Sequence, residues 1–192
     1  GAGLIILIIV FQQEIRKFLL VVGSATFTRR QGLRNLLKLS TEDEGAKADV
    51  DAMVSAMVEL AATKTGALLV IKRTDPLGSF ASSGSPMNAD LSKILLESIF
   101  FKNAPLHDGA TIVEGGTIIA AGTVLPLSER SELPARFGLR HRAAAGISER
   151  TDALAVTVSE ETGNIHIFYD GDFEKVQKED LTVRLAKLLQ NK

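Results

Sequence analysis

The chain has 192 residues, enough for one compact domain and a short additional segment. Its formal net charge is −1 and its isoelectric point is about 6.4, which argues against the basic surface that general nucleic-acid binding requires. Cysteine is absent, so disulfides, thiolate zinc sites and a cysteine nucleophile are excluded.

The first 40 residues combine an apolar run with a basic segment. Residues 4–11 are all apolar, although a membrane-spanning helix needs roughly 20 such residues. Residues 12–40 carry six basic side chains against one acidic side chain, a pattern typical of the cytoplasmic side of a membrane segment. We interpret residues 1–40 as the end of a truncated membrane anchor and a basic juxtamembrane helix. A buried amino-terminal strand or helix of a soluble protein is the alternative.

The segment from residue 41 to residue 72 predicts a loop, a helix and a strand. Residues 41–45 are polar and acidic and predict the loop. From Val50 to Lys64, apolar residues recur on one face of a helix. Residues 66–72 are rich in aliphatic and β-branched side chains and predict a buried strand.

Turn-forming residues then surround a short segment before the next helix. They occupy residues 75–78 and 82–86. Asn88 is predicted to cap a helix that runs to about Phe101. The residues expected to face inward from that helix are Leu91, Ile94, Leu95 and Ile99.

The second half of the chain predicts paired strands and a closing helix. Gly115 and Gly116 separate two apolar runs and predict a two-residue hairpin. Residues 154–158 and 165–169 alternate on either side of a turn. A helix is indicated by Leu181, Leu185, Leu188 and Leu189. The predicted class is α/β (α+β), with a central mixed, largely antiparallel sheet and helices packed around it.

A His-Asp-Gly segment, His107 to Gly109, lies on a connection after Pro105. Asp108 can bind a divalent cation or polarise a hydroxyl group, and Gly109 lacks the Cβ that would keep a phosphate or ribose away from the backbone. His107 and Asp108 can share one ligand only if the chain bends there, because successive strand residues face opposite sides. A plain Asp-Gly turn is the alternative.

Arg140, His141 and Arg142 form a second polar segment. In extended backbone, residues two apart project to the same side, so we expect both guanidinium groups to converge on one triphosphate. Residues 143–146 are small and predict the opening of a helix whose positive end can approach an anion. The alternative is a charged, solvated stretch.

Glu160 and Glu161 lie in a predicted turn, where adjacent acids are usually solvated. One of them can instead complete a hard-cation site beside Asp108. His166 alternates with apolar neighbours and is predicted to be a strand-face residue rather than a ligand. The chain contains no phosphate-binding Gly-rich loop and no Gly-x-Ser-x-Gly elbow. Its three histidines are too few for the phosphohydrolases named after the His-Asp dipeptide.

In this order, the segments resemble the catalytic domain of bacterial diadenylate cyclases, particularly the membrane-anchored subtype. The similarity runs roughly from Gly66 to Tyr169. It is carried by residues 66–71, 95–100, 103–110, 125–128, 140–144, 146–149, 151–153 and 158–163. Anchored members carry three membrane helices before this domain, and residues 4–11 resemble the tail of the third.

The resemblance implies a role for individual residues. Asp108 would activate the attacking ribose hydroxyl, and Arg140 and Arg142 would act with it in catalysis. The implied ATP-binding residues are Gly109, Ala110, Leu125, Leu139, Arg140, His141, Arg142, Ser159 and Glu160. The implied ligands of a divalent metal, Mg²⁺ or Mn²⁺, are His107, Asp108 and Glu161.

The implied reaction joins two ATP molecules into cyclic di-AMP, a second messenger, and releases two pyrophosphates. Each subunit would hold one ATP, so a homodimer with its two sites face to face would be needed for catalysis. Residues 41–192 would form the catalytic domain, on the cytoplasmic side of the cell membrane. No nucleic-acid partner is expected.

Two departures from the family keep other functions open. Many members have threonine where this chain has Leu139, and some anchored members have an aromatic residue where it has Val124. A nucleotide-binding regulatory module that has lost catalysis is therefore one alternative. A membrane-tethered interaction domain without a ligand is another.

Overall fold

The structure is a computed structural model that describes residues 42–190. The predicted membrane anchor and juxtamembrane helix of residues 1–40 lie outside this range. Across residues 42–190, none of the helices combines the length and apolar character that crossing a membrane requires.

Helices and strands alternate irregularly along the described residues. The helices are α1 (Glu42–Ala62), α2 (Gly78–Ala81), α3 (Lys93–Phe100), α4 (Leu139–Ser148) and α5 (Leu181–Gln190). The strands are β1 (Ala67–Ile71), β2 (Ser85–Asp90), β3 (Ala110–Glu114), β4 (Thr117–Thr123), β5 (Leu154–Val158), β6 (Ile165–Tyr169) and β7 (Asp172–Val176). The predicted α+β class is confirmed.

The seven strands form one mixed sheet in the order β2-β4-β3-β1-β5-β6-β7. In the described part of the chain, β1 and β3 are the parallel pair and the other neighbours run antiparallel, as predicted. All five residues of β1 are buried. A strand that is covered on both faces reads as a continuous apolar run, and this explains the sequence Ala-Leu-Leu-Val-Ile.

Helices cover both faces of the sheet. On one face, α1, α3 and α5 bury residues such as Met57, Phe100 and Leu185. On the other face, α4 buries Ile147, and Leu77 is buried just before the short α2. The small residues of α4 are needed for packing, since a Cβ added at Gly146 would lie 2.1 Å from the Pro126 carbonyl oxygen. The carboxyl-terminal half of α4 therefore lies tightly against the loop that follows β4.

Two predictions at the start of the described chain are corrected, one for a loop and one for the end of a helix. The loop predicted at residues 41–45 is wrong, because α1 already begins at Glu42. Glu and Ala favour helix, and acidic residues suit the positive end of a helix. The helix predicted for residues 50–64 is confirmed but ends at Ala62, and Lys64 adopts a left-handed conformation with φ 51°.

The helix cap predicted at Asn88 is also wrong. Asn88 belongs to the edge strand β2, which tolerates its proline because one side of an edge strand needs no partner. The cap of α3 is Ser92, whose hydroxyl accepts a hydrogen bond from the Leu95 backbone N–H. Ile94, expected to face inward, is 76% exposed.

The hairpins agree with the sequence more closely. Gly115 and Gly116 have φ of 51° and 75° and join β3 to β4 as predicted. Strand β7 was not predicted, although its signal was present. Asp170 and Gly171, with φ of 50° and 77°, form the Asp-Gly turn that reverses the chain from β6 into β7.

Candidate nucleotide site

The Arg-His-Arg segment forms the first turn of a helix and is not extended. Helix α4 begins at Leu139, with Gly138 as its N-cap residue. No side chain of the described residues caps this end. The backbone N–H groups of His141 and Arg142 donate to the Gly138 carbonyl, which leaves those of Leu139 and Arg140 pointing out of the helix. A helix start with free N–H groups attracts anions. It lies at Leu139, four residues before the helix opening that the sequence predicted.

The two arginines do not converge on one point, which corrects the sequence prediction. Helical residues two apart project about 200° from each other around the axis. Arg142 donates from Nη1 to the Ser128 carbonyl at 3.3 Å, and its own carbonyl accepts from the Ser128 N–H at 2.9 Å. In this structure Arg142 therefore holds the loop after β4 against α4.

Arg140 connects the two polar segments that the sequence singled out. Its Nη1 donates to Glu160 Oε2 at 3.0 Å, and its Nη2 donates to the His107 carbonyl at 3.2 Å. Its Nη2 also lies 3.9 Å from Asp108 Oδ1. The arginine side chain is 21% exposed, whereas that of Asp108 is 85% exposed. One guanidinium group thus brings together chain segments that are more than thirty residues apart in sequence.

The bend required in the His-Asp-Gly segment is present. Gly109 has φ +115°, a conformation that favours glycine. A Cβ there would lie 2.7 Å from the Thr123 carbonyl oxygen and 2.8 Å from the Gly122 carbonyl carbon. The glycine is therefore required by close packing on β4 as well as by its backbone conformation. The bend brings His107 Nε2 within 3.4 Å of Asp108 Oδ1.

His107 and Asp108 fit a divalent cation in part. His107 Nδ1 lies 2.5 Å from the Ala104 carbonyl oxygen, and Nε2 is the ring nitrogen that faces Asp108. A backbone carbonyl that fixes the tautomer is usual for metal-binding histidines. Glu161 does not join them, because residues 42–190 contain no group of three His, Asp or Glu able to hold a metal. A cation here would need further ligands from a bound phosphate and water.

His141 lies in the interior, which corrects its expected place in the phosphate site. The residue is 5% exposed, and its ring stacks on Phe137 with a 4.5 Å centroid distance and meets His166 edge-on at 5.1 Å. Burial lowers the pKa of His141 to about 4, with a smaller contribution from Arg136. The imidazole is neutral at physiological pH, and it packs the base of α4.

His166 lies on the face of β6, as predicted, and is 3% exposed. Burial lowers its pKa to about 4, and the nearby His141, Lys175 and Arg136 contribute in the same direction. Both histidines therefore belong to the apolar layer between α4 and the sheet. That layer includes Phe137, which sequence reasoning did not single out.

The other predicted site residues lie at different depths. Ala110 and Leu125 are buried in the core beneath α4, so Ala110 can offer a ligand little more than its backbone. Leu139 is 71% exposed at the start of α4. Ser159 accepts a hydrogen bond from the Thr162 N–H and stabilises the turn that presents Glu160.

A cavity of about 490 Å³ lies at the opposite end of α4 and contains none of the predicted site residues. Its acidic lining includes Asp75 and Asp152, whose carboxylates are already used. Asp152 accepts from the backbone N–H groups of Thr74 and Asp75, and Asp75 accepts from the N–H of Asp152. These bonds join the loop after β1 to the start of β5. The two carboxylates therefore have a structural role in holding these segments together.

Comparisons with known proteins identify the family of the chain. Residues 54–173 match the family described as DisA bacterial checkpoint controller nucleotide-binding. The cyclic di-AMP synthase CdaA of Bacillus subtilis is 39% identical over 178 residues, which cover 93% of this chain. The chain spans 63% of the length of that relative.

Two solved structures are similar in both sequence and fold. DacA from Staphylococcus aureus is 38% identical with a TM-score of 0.72, and the match covers 74% of this chain and 96% of that one. A protein from Bacillus cereus described as a hypothetical membrane spanning protein is 41% identical with a TM-score of 0.65. That second match covers 66% of this chain and 62% of the other.

Proposed function

The chain belongs to the family of the DisA bacterial checkpoint controller nucleotide-binding domain, and from that premise we propose that it is a diadenylate cyclase. It condenses two ATP molecules into cyclic di-AMP and two pyrophosphates. The observation that best supports this proposal is the contact of Arg140 with the loop of His107 and Asp108. There the Arg140 guanidinium group, which can bind phosphate, lies beside the Asp108 carboxylate, which can accept the proton of a hydroxyl group.

Each of the two reaction steps needs a nucleophile and charge neutralisation. The 3′-hydroxyl oxygen of one ATP bonds to the α-phosphorus of the other, and the bond from that phosphorus to the pyrophosphate oxygen breaks. Asp108 accepts the hydroxyl proton, for which its exposed carboxylate is free to approach a ribose. Arg140 and the backbone N–H groups at the start of α4 stabilise the charge on the triphosphate and the departing pyrophosphate.

Mg²⁺ or Mn²⁺ is the proposed cofactor, with His107 Nε2 and the Asp108 carboxylate as its protein ligands. When bound, such a cation offsets charge on the α-phosphate and lowers the pKa of a coordinated hydroxyl. Glu161 is left out of this proposed ligand set, because within residues 42–190 it does not form a metal-binding group with His107 and Asp108.

A homodimer is proposed because one site holds one ATP, and the second nucleotide must come from another copy. Two exposed apolar residues support this arrangement. Leu139, 71% exposed, precedes Arg140, and Val124, 72% exposed, follows Thr123, which packs on Gly109. A partner subunit that covered these two side chains would remove them from water.

Attachment to the cell membrane, with the catalytic domain in the cytoplasm, is proposed for the residues outside the described range. It is supported by the apolar run at residues 4–11 and the basic segment at 12–40. The description of the B. cereus structure as membrane spanning agrees with this proposal.

Incubation with ATP and Mn²⁺ tests the proposal. Cyclic di-AMP identified by mass is the expected product, and its absence at protein concentrations that produce dimers would contradict the proposal. A regulatory nucleotide-binding module without catalysis is the second candidate, and Leu139 and Val124 favour it as departures from the family. Calorimetric binding of ATP without turnover in either metal would support that module.

A further inference from the structure

Gly66 lies immediately before β1, and its backbone conformation does not account for it. Its φ is not among the positive values of the described glycines, so an L-residue could adopt the same conformation. The position is buried and borders a strand, where glycine lowers stability relative to alanine. Glycine beside a strand often marks a place where another group approaches closely.

The group that approaches is the side-chain pair that holds the candidate site together. A Cβ added at Gly66 would lie 2.7 Å from Arg140 Nη1, 2.9 Å from Glu160 Oε2 and 3.2 Å from Arg140 Cζ. All three nearest atoms belong to these two side chains. The guanidinium–carboxylate pair thus rests directly on the bare backbone of Gly66.

We propose that Gly66 is a positioning residue for the reaction, because its lack of a side chain sets where Arg140 and Glu160 can lie. The inference rests on the proposed diadenylate cyclase function. An alanine would have to move the guanidinium group from 2.7 Å to about the ordinary 3.4 Å, a displacement of about 0.7 Å. The hydrogen bonds of Arg140 to Glu160 and to the His107 carbonyl, 3.0 and 3.2 Å long, have little room for that movement.

Alanine at Gly66 is expected to affect the site much more than the fold. The atoms it meets are the ends of two flexible side chains, and no backbone atom is among the three nearest. Misplacement of a catalytic group by about 1 Å can cost about 100-fold in rate. We therefore expect Gly66→Ala to lower kcat/KM about 10- to 100-fold, with a melting temperature within about 2 °C of the control.

Gly78→Ala is the matched control. Gly78 is exposed, and a Cβ there would meet nothing within 4 Å. Activity of Gly66→Ala within about 2-fold of Gly78→Ala would overturn the proposal.

A double-mutant cycle on nucleotide binding separates positioning from general damage. The ligand is 3′-deoxy-ATP, which lacks the attacking hydroxyl, and its affinity is measured by calorimetry with Mn²⁺ on the full chain. Gly66→Ala is expected to weaken binding in the wild-type background and to add nothing in the Arg140→Ala background. An equal loss in both backgrounds would show a merely structural effect and overturn the proposal, even for a destabilised variant.

The two proposals fail in different ways. A wild-type chain that binds 3′-deoxy-ATP but makes no cyclic di-AMP would contradict the cyclase function. The binding cycle would still decide the role of Gly66. A wild-type chain that makes cyclic di-AMP while Gly66→Ala matches Gly78→Ala in both measurements would contradict the positioning role alone.

Discussion

Replacing Asp108 with asparagine tests the proposed chemistry while leaving the fold almost untouched. The Asp108 side chain is 85% exposed, and the guanidinium group of Arg140 lies 3.9 Å from its carboxylate. An exposed ion pair of this kind contributes about 0.5 kcal/mol or less to the free energy of unfolding. Asparagine keeps the shape of the side chain but cannot accept the hydroxyl proton or carry charge. We expect turnover to fall about 10²- to 10⁴-fold, a barrier increase of roughly 3–5 kcal/mol.

The assay pairs product formation with ligand binding. Cyclic di-AMP is quantified under saturating ATP and Mn²⁺, and the affinity for 3′-deoxy-ATP is measured by calorimetry in parallel. Asp51→Asn in α1 is the matched control, since Asp51 is an exposed aspartate away from the site. Asp108→Asn should retain most of its nucleotide affinity. Turnover within a few-fold of the control would refute the role assigned to Asp108.

Three further predictions concern neighbouring features. The first concerns His141 and His166, whose pKa values are lowered from 6.5 to about 4 in the folded chain. Between these pH values the unfolded chain binds more protons than the folded chain. The free energy of unfolding should therefore be full above pH 6.5 and fall as the pH drops toward 4. Thermal melts should show this loss, and it should shrink in His166→Phe. The second compares Arg142→Ala, which releases the Ser128 loop, with Arg140→Ala, which releases the Asp108 loop. Arg142→Ala should weaken the binding of 3′-deoxy-ATP less than Arg140→Ala does. Calorimetry that showed the reverse order would contradict the geometry. Activity per subunit should rise with protein concentration until dimers saturate, and a constant value across the monomer–dimer transition seen by sedimentation would argue against a shared reaction.

Much of the fold was predictable because local signals and burial agree. Strand β1 is an unbroken apolar run that lies in the middle of a sheet covered on both faces. The Gly115-Gly116 turn has the backbone conformation that its sequence demands. Strand β2 could not be predicted in the same way, because its polar residues and proline fit only an edge position.

The site was predictable at the level of segments but not of side-chain directions. The meeting of the two polar segments was expected, and the contacts of Arg140 with Glu160 and the His107 carbonyl bring these parts together. The helical start at Leu139 was missed because arginine and histidine at a helix end carry no strong local signal. The burial of His141 depends on Phe137 and β6, which only tertiary packing brings beside it.

The mass of the product formed from ATP tests the central claim most directly. The full chain, incubated with ATP and Mn²⁺ at a concentration that produces dimers, is expected to yield cyclic di-AMP and two pyrophosphates for each product molecule. Bound ATP that is recovered unchanged, or product released only as a linear dinucleotide, would contradict the account.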